Sequence, residues 1–117
     1  MVTSKRVEIP LYPCYLKGII YDDSKELKGK YEACNGKEGG FFHCSDDYTE
    51  YVLAVKSSSG VKAISHEAEH IKNRIFYLIG YDTVHLNDEV DAYLVCWIVN
   101  FITDLYWKHK EKETKSK

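Results

Sequence analysis

The hydrophobic periodicity of this chain changes once, near residue 60, and that change constrains the fold more than any other feature. Before it, apolar residues tend to alternate with polar ones, a pattern typical of half-buried β-strands. After it, apolar residues recur every three or four positions, as they do along one side of a helix. The sequence therefore predicts an α+β fold: a small N-terminal antiparallel β-sheet with a short helix, followed by two long packed helices.

The first half contains four strand-like segments and one short helix. Pro10 and Pro13 cannot donate to a strand ladder, so the first strand is expected at an edge of the sheet. Ser24 is a good N-cap for a short helix that extends to about residue 32. The last two strands flank a polar turn and are expected to pair as an antiparallel hairpin. Residues 7–11 and 14–21 predict one or two short strands, and residues 41–44 and 49–56 predict two more.

Two helices are predicted in the second half. The first begins after residues 57–60 and ends at Gly80, a typical C-cap residue. The second covers about residues 88–107, is apolar on nearly every side and is expected to be central. Its most apolar run, residues 92–107, is about 16 residues long and carries Asn100 and Asp104, so it is too short and too polar to cross a bilayer. The apolar seam of the first helix consists of Val61, Ile64, Ala68, Ile71, Ile75 and Leu78.

Length and charge limit the classes of function. A chain of 117 residues fits one domain, expected over residues 1–107, and its net charge of −2 favours neither nucleic acid nor an anionic membrane as a partner. Residues 108–117 hold five lysines and no apolar residue, which predicts a charged, flexible tail. Since the N-terminus lacks an apolar leader and the four cysteines form no CxxC pair, we expect a cytoplasmic protein with free thiols.

The sequence His66-Glu67-Ala68-Glu69-His70 is an H-E-x-x-H motif within the first long helix. Residues four apart lie on the same helix face, so His66 and His70 are able to bind one zinc ion. Both lie opposite the apolar seam. Glu67 is displaced by one residue and is predicted to be the general base that takes a proton from the attacking water.

A third zinc ligand is expected from the start of the second helix. Glu89 is the main candidate and Asp88 the alternative, while Asp91 is better explained as a residue that stabilises the helix start. Tyr93, one turn after Glu89, is a candidate donor to a developing oxyanion. Glu89 and Tyr93 begin a partly polar stripe that is expected to face the two histidines. Asn100 and Asp104 of the same stripe are candidates to orient the imidazoles by hydrogen bonds. The rest of the stripe is Cys96, Asn100, Asp104 and Trp107.

The segments Ala63-Ile-Ser-His-Glu-Ala-Glu-His and Asn87-Asp-Glu-Val-Asp-Ala-Tyr-Leu resemble those of small zincin-like proteins of bacteriophages and prophages. More distantly, they resemble the minimal metallopeptidase domain of the ImmA/IrrE type. The resemblance covers about the last half of the chain and implies the same three ligands and the same base. Glu69 departs from the zincin pattern, in which this position is usually uncharged. It either faces solvent or marks a site that has diverged.

The leading functional hypothesis is therefore a Zn²⁺-dependent metallopeptidase, a hydrolase that acts on a peptide or protein. The alternative is a non-catalytic zinc-binding or interaction protein of phage type that retains the motif. Glu67 favours the enzyme, because a purely structural zinc site has no use for a general base. Substrate preference in zincins depends on an edge strand beside the cleft, for which residues 49–56 are the candidate.

Overall fold

The structure is a computed structural model that describes residues 1–27, 30, 39–80 and 89–115. Within these residues an N-terminal sheet is followed by two long helices, which confirms the predicted α+β class. A short 3-10 helix, Ser24–Leu27, follows the second strand. The remaining elements are β1 (Val2–Glu8), β2 (Tyr15–Tyr21), β3 (Gly40–Cys44), β4 (Glu50–Lys56), α1 (Val61–Ile79) and α2 (Glu89–Lys115).

The four strands form one sheet in the order β1-β2-β4-β3. β1 pairs with β2 and β3 pairs with β4 in antiparallel fashion, so the predicted hairpin and the edge position of the first strand are confirmed. The predicted bounds of that strand, residues 7–11, are wrong, because β1 ends at Glu8 before Pro10. β2 and β4 instead run parallel, with Gly18 opposite Leu53. The sheet is therefore mixed, and the prediction of an antiparallel sheet is wrong at its centre. The two central strands are distant in sequence, and alternation within each strand does not reveal the direction of its partner.

Both long helices pack on the same face of the sheet. α2 crosses β2 at Gly18, where an added Cβ would lie 2.7 Å from Ile102 Cδ1 and 3.0 Å from Leu105 Cδ2. The missing side chain thus permits the close approach of the helix to the strand. The core between the sheet and the helices includes Leu16, Ile20, Tyr51, Leu53, Val55, Ile64, Ala68, Ile71, Ile75, Leu94, Ile98, Ile102 and Leu105.

The opposite face of the sheet carries a second, smaller apolar cluster. Leu27 of the 3-10 helix is buried there among side chains of β2, β3 and β4. The predicted helix from Ser24 to about residue 32 is confirmed only as this short 3-10 turn, since most of residues 28–38 lie outside the described part of the chain. Burial on both faces explains why β4 is apolar at nearly every position.

The sequence predicts α1 well. Its four central seam residues are fully buried, whereas Val61 at the first turn is exposed. Gly80 adopts the left-handed conformation with φ 70°, and its N–H reaches the carbonyls of Phe76 and Tyr77, as expected for a C-cap glycine. The helix therefore has a sharply defined inner side, and its outer side is free for the two histidines.

α2 differs from the prediction in the side that it buries. Its inner seam begins with Leu94 and Ile98, so the polar stripe turns outward and Cys96, Asn100 and Asp104 are exposed. The prediction that this stripe faces inward is wrong because burying the more apolar seam on the sheet is favoured. No helix among the described residues is long and apolar enough to cross a membrane.

α2 also continues eight residues beyond its predicted end, to Lys115. His109 lies in this extension and is fully buried. The structure thus corrects the prediction of a flexible tail for residues 108–115. The lysines occupy the outer sides of the helix, while His109 continues its buried inner seam.

Candidate metal centre

His66 and His70 lie side by side on the outer surface of α1. Their Nε2 atoms are 3.3 Å apart, and both side chains are exposed. Two nitrogens bound to one tetrahedral zinc ion at 2.0–2.1 Å would lie about 3.3–3.4 Å apart. The donor pair therefore fits the spacing of a zinc site, and in the metal-free protein the same distance allows one imidazole to donate to the other.

The ring of His70 is oriented by the edge strand β3. It stacks on Phe42 with a centroid separation of 4.9 Å and an interplanar angle of 15°. The ring of His66 meets that of His70 edge-on, also at 4.9 Å. Arg74, one turn further along α1, places its guanidinium carbon 5.9 Å from the Phe42 ring. Stacking on a residue of the sheet thus limits the freedom of an otherwise exposed histidine.

Glu67 lies between the histidine surface and the protein interior. Its Oε1 is 3.9 Å from His66 Nε2, yet the residue is only 8% exposed. This combination suits a base that reaches a bound water from a partly water-excluded position. The adjacent cleft has a volume of about 450 Å³. It is lined by Gly39, Gly40, Ser59, Lys62, Ala63, His66 and Glu67.

Glu69, the charged residue within the motif, has a separate role in the structure. Its Oε1 accepts from Lys72 Nζ at 2.7 Å, and its side chain is about half exposed. The carboxylate is therefore directed along α1 toward a lysine. Of the two explanations for this departure from the zincin pattern, the structure supports a solvent-facing position.

The predicted third ligand is not described by the structure. Glu89 begins α2, but its side chain and the whole of Asp88 lie outside the described residues. Asp91 is described, and its Oδ2 lies 3.0 Å from Lys72 Nζ, so it binds a lysine of α1. Among the described residues, no third His, Cys, Asp or Glu joins His66 and His70 in a compact ligand cluster.

Tyr93 is not brought near the histidines. It is 72% exposed and lines a different cavity of about 370 Å³, beside the turn between β1 and β2. The prediction that Tyr93 faces His66 and His70 is wrong, because burying Leu94 and Ile98 turns this residue outward. Asn100 and Asp104 are exposed on the same outward side of α2, so they do not orient the ligands either.

The strand beside the cleft also differs from the expected one. β4, which contains most of residues 49–56, lies between β2 and β3, so it is not an edge strand. The edge is β3, which supplies Gly40 to the cleft and Phe42 to the His70 stack. β3 therefore replaces β4 as the candidate strand for binding an extended peptide.

Sequence reasoning missed a second cluster of side chains of the types that can bind metals, Asp22, His109 and Glu113. Two signals were available. His109 and Glu113 have the four-residue spacing of helix neighbours, and His109 continues the inner seam four residues after Leu105. The lysines on both sides of His109 made this segment look like a solvated tail, so the seam was not extended to it.

The chemistry of the His66 site follows from its own residues. Two imidazoles hold a borderline-soft divalent ion well, and a neighbouring carboxylate is suited to accept a proton. No family model, curated protein or solved structure matches this chain. The functional argument therefore depends on this geometry.

Proposed function

We propose that the protein binds one zinc ion through His66 and His70 and hydrolyses peptide bonds, with Glu67 as the general base. The observation that supports this most directly is the 3.3 Å separation of the two Nε2 atoms, which matches two ligands of one tetrahedral ion. Glu67, the remaining residue that defines the motif, lies next to the imidazole of His66.

Glu89 is proposed as the third protein ligand, with Asp88 as the alternative. α2 begins at Glu89, and Asp91 in the same turn reaches Lys72 of α1. The start of α2 is thus held against α1 on the side of Lys72, and Glu89 would have to reach His66 and His70 from there. Two histidines and one carboxylate would leave a position for water, as catalytic zinc sites require.

When bound, zinc would polarise the scissile carbonyl and lower the pKa of a coordinated water toward neutrality. Glu67 accepts the proton of the attacking water at its carboxylate and later delivers it to the departing amine. The low exposure of Glu67 limits competition from bulk water. β3 offers the substrate main chain a strand edge beside the cleft.

The test separates zinc binding from chemistry. Glu67→Gln retains the shape of the side chain but loses its basicity, so zinc affinity should change little while hydrolysis of a peptide library falls by about 10²–10⁴-fold. Glu69→Gln is the matched control, because Glu69 lies in the same helix and contacts Lys72. Wild-type protein that binds zinc but cleaves no peptide would support the non-catalytic alternative. A cytoplasmic location and a phage origin stay predictions.

A further inference from the structure

A second cluster of ligand-type side chains lies at the far end of α2, outside the site described above. His109 projects from α2, Glu113 lies one turn further on, and Asp22 follows the last residue of β2. His109 is fully buried, whereas the two carboxylates are about one third exposed. The cluster therefore combines a buried imidazole with two carboxylates that solvent reaches.

Three donor atoms converge within this cluster. His109 Nε2 lies 2.9 Å from Asp22 Oδ1 and 3.3 Å from Glu113 Oε1. All three candidate ligand atoms lie within 4.8 Å of one another. Neighbouring ligands of an octahedral ion, bound at about 2.1 Å, are about 3.0 Å apart. The spacing thus fits one small divalent ion with little movement of the side chains.

Neighbouring side chains orient the imidazole and one carboxylate. Thr3 Oγ1 lies 2.8 Å from His109 Nδ1, and His109 Nε2 donates to Asp22 Oδ1 at 2.9 Å. A metal ion would take the place of that hydrogen between the two atoms. Ser57 Oγ donates to Asp22 Oδ1 at 2.6 Å. Metal-ligating histidines and carboxylates are commonly held by such hydrogen bonds. The supporting residues come from β1 and from the turn after β4, so the cluster has a rigid frame.

The charges of the cluster also favour a cation. Two carboxylates converge on a single buried ring, and like charges held this close repel each other unless a positive group lies between them. Lys110 Nζ is 3.6 Å from Glu113 Oε2, and the Met1 ammonium is 3.4 Å from Asp22 Oδ2. Each of these cations contacts one carboxylate, at the oxygen that does not face His109. The oxygens that face His109 both contact its imidazole, and Asp22 Oδ1 also accepts from the Ser57 hydroxyl.

We propose that Asp22, His109 and Glu113 form a binding site for a divalent transition metal ion, distinct from the His66 site. One imidazole and two carboxylates suit octahedral Mn²⁺ or tetrahedral Zn²⁺ better than Mg²⁺ or Ca²⁺, which prefer oxygen ligands alone. A bound ion would connect the C-terminal part of α2 to the end of β2. It would therefore stabilise the packing of the C-terminal part of α2 on the sheet.

The test uses full-length protein in which His66→Ala and His70→Ala remove the first site. MnCl₂ and ZnCl₂ are titrated in separate calorimetric experiments at neutral pH, and the thermal midpoint is measured with and without each ion. One equivalent should bind, and the midpoint should rise with ion concentration. Glu113→Gln should weaken binding by at least about tenfold, whereas Glu111→Gln, at an exposed position of the same helix, should not.

Two results would overturn the proposal. Absence of binding for both ions up to about 1 mM would show that the cluster is only an internal hydrogen-bonded group. Equal binding by Glu113→Gln and by its parent would show that the ion lies elsewhere. Because Glu113 is partly exposed on a helix surface, Glu113→Gln is expected to fold, and circular dichroism checks this directly.

Discussion

Lys72 Nζ of α1 lies 3.0 Å from Asp91 Oδ2 in the first turn of α2. Lys72 is only 3% exposed, and Glu69 also accepts from it. Burial lowers the pKa of Lys72, but the two carboxylates outweigh that effect and raise it overall. The contact fixes which side of α1 meets α2. His66 and His70 consequently lie on another side, next to β3.

Asp91→Asn should lower the free energy of unfolding by about 1–2 kcal/mol, because it removes a charge-assisted bond from a buried lysine. Asp104→Asn, at an exposed position of the same helix, should have almost no effect. Urea denaturation of both variants at neutral pH measures the difference. Equal losses in the two would show that the Lys72–Asp91 contact contributes nothing specific.

Gly18→Val should destabilise the protein by about 1–3 kcal/mol, because the new side chain must displace α2 from β2. Even its Cβ would lie 2.7 Å from Ile102 Cδ1. Ser4→Val places the same side chain at an exposed position of β1 and is the matched control. Thermal unfolding compares the two. A Gly18→Val variant as stable as wild type would contradict the close crossing of helix and strand.

The sequence predicted correctly the features that depend on residues close together in the chain, and it failed for those that depend on contacts between distant segments. α1 has one apolar side, so its seam, its C-cap and the shared face of its histidines follow from the 3.6-residue period. α2 is apolar on several sides, and periodicity alone does not choose which side packs. The parallel pairing of β2 with β4 depends on contacts between distant segments. The burial of His109 likewise depends on Thr3 and Asp22, which are remote in sequence.

Acid should destabilise the metal-free protein partly through Asp22. Burial raises the pKa of this carboxyl, but hydrogen bonds with neighbouring groups, among them Ser57 and His109, bring it well below its usual range. The ionised carboxylate therefore stabilises the fold above the unfolded pKa of about 3.9, and this contribution is lost as pH falls through the lower folded pKa.

The unfolding free energy in the presence of a chelator should thus fall from about pH 5 to about pH 2, and fall less steeply in Asp22→Asn. Some dependence should persist in the variant, because hydrogen bonds also lower the pKa of Asp47. Denaturation at a series of pH values provides the measurement. Parallel curves for the two proteins would rule out Asp22 as a source of acid sensitivity.

Phe42→Leu should weaken zinc binding by about tenfold, since it removes the ring on which His70 stacks and leaves both proposed ligands in place. Phe41→Leu is the control, because Phe41 is buried in the cluster on the opposite face of the sheet. Zinc affinity and stability are measured for both variants. Equal weakening in the two would indicate a general effect of destabilisation on zinc affinity.

The most direct test of the central claim is the zinc affinity of wild-type protein and of variants in its two candidate sites, measured by competition with a chelating dye. His66→Ala and His70→Ala should each weaken the tightest zinc site by at least about 100-fold, because each removes one ligand. Glu113→Gln should leave that site unchanged. Undiminished tight binding in His66→Ala and His70→Ala would contradict the assignment of the H-E-x-x-H helix as a metal centre.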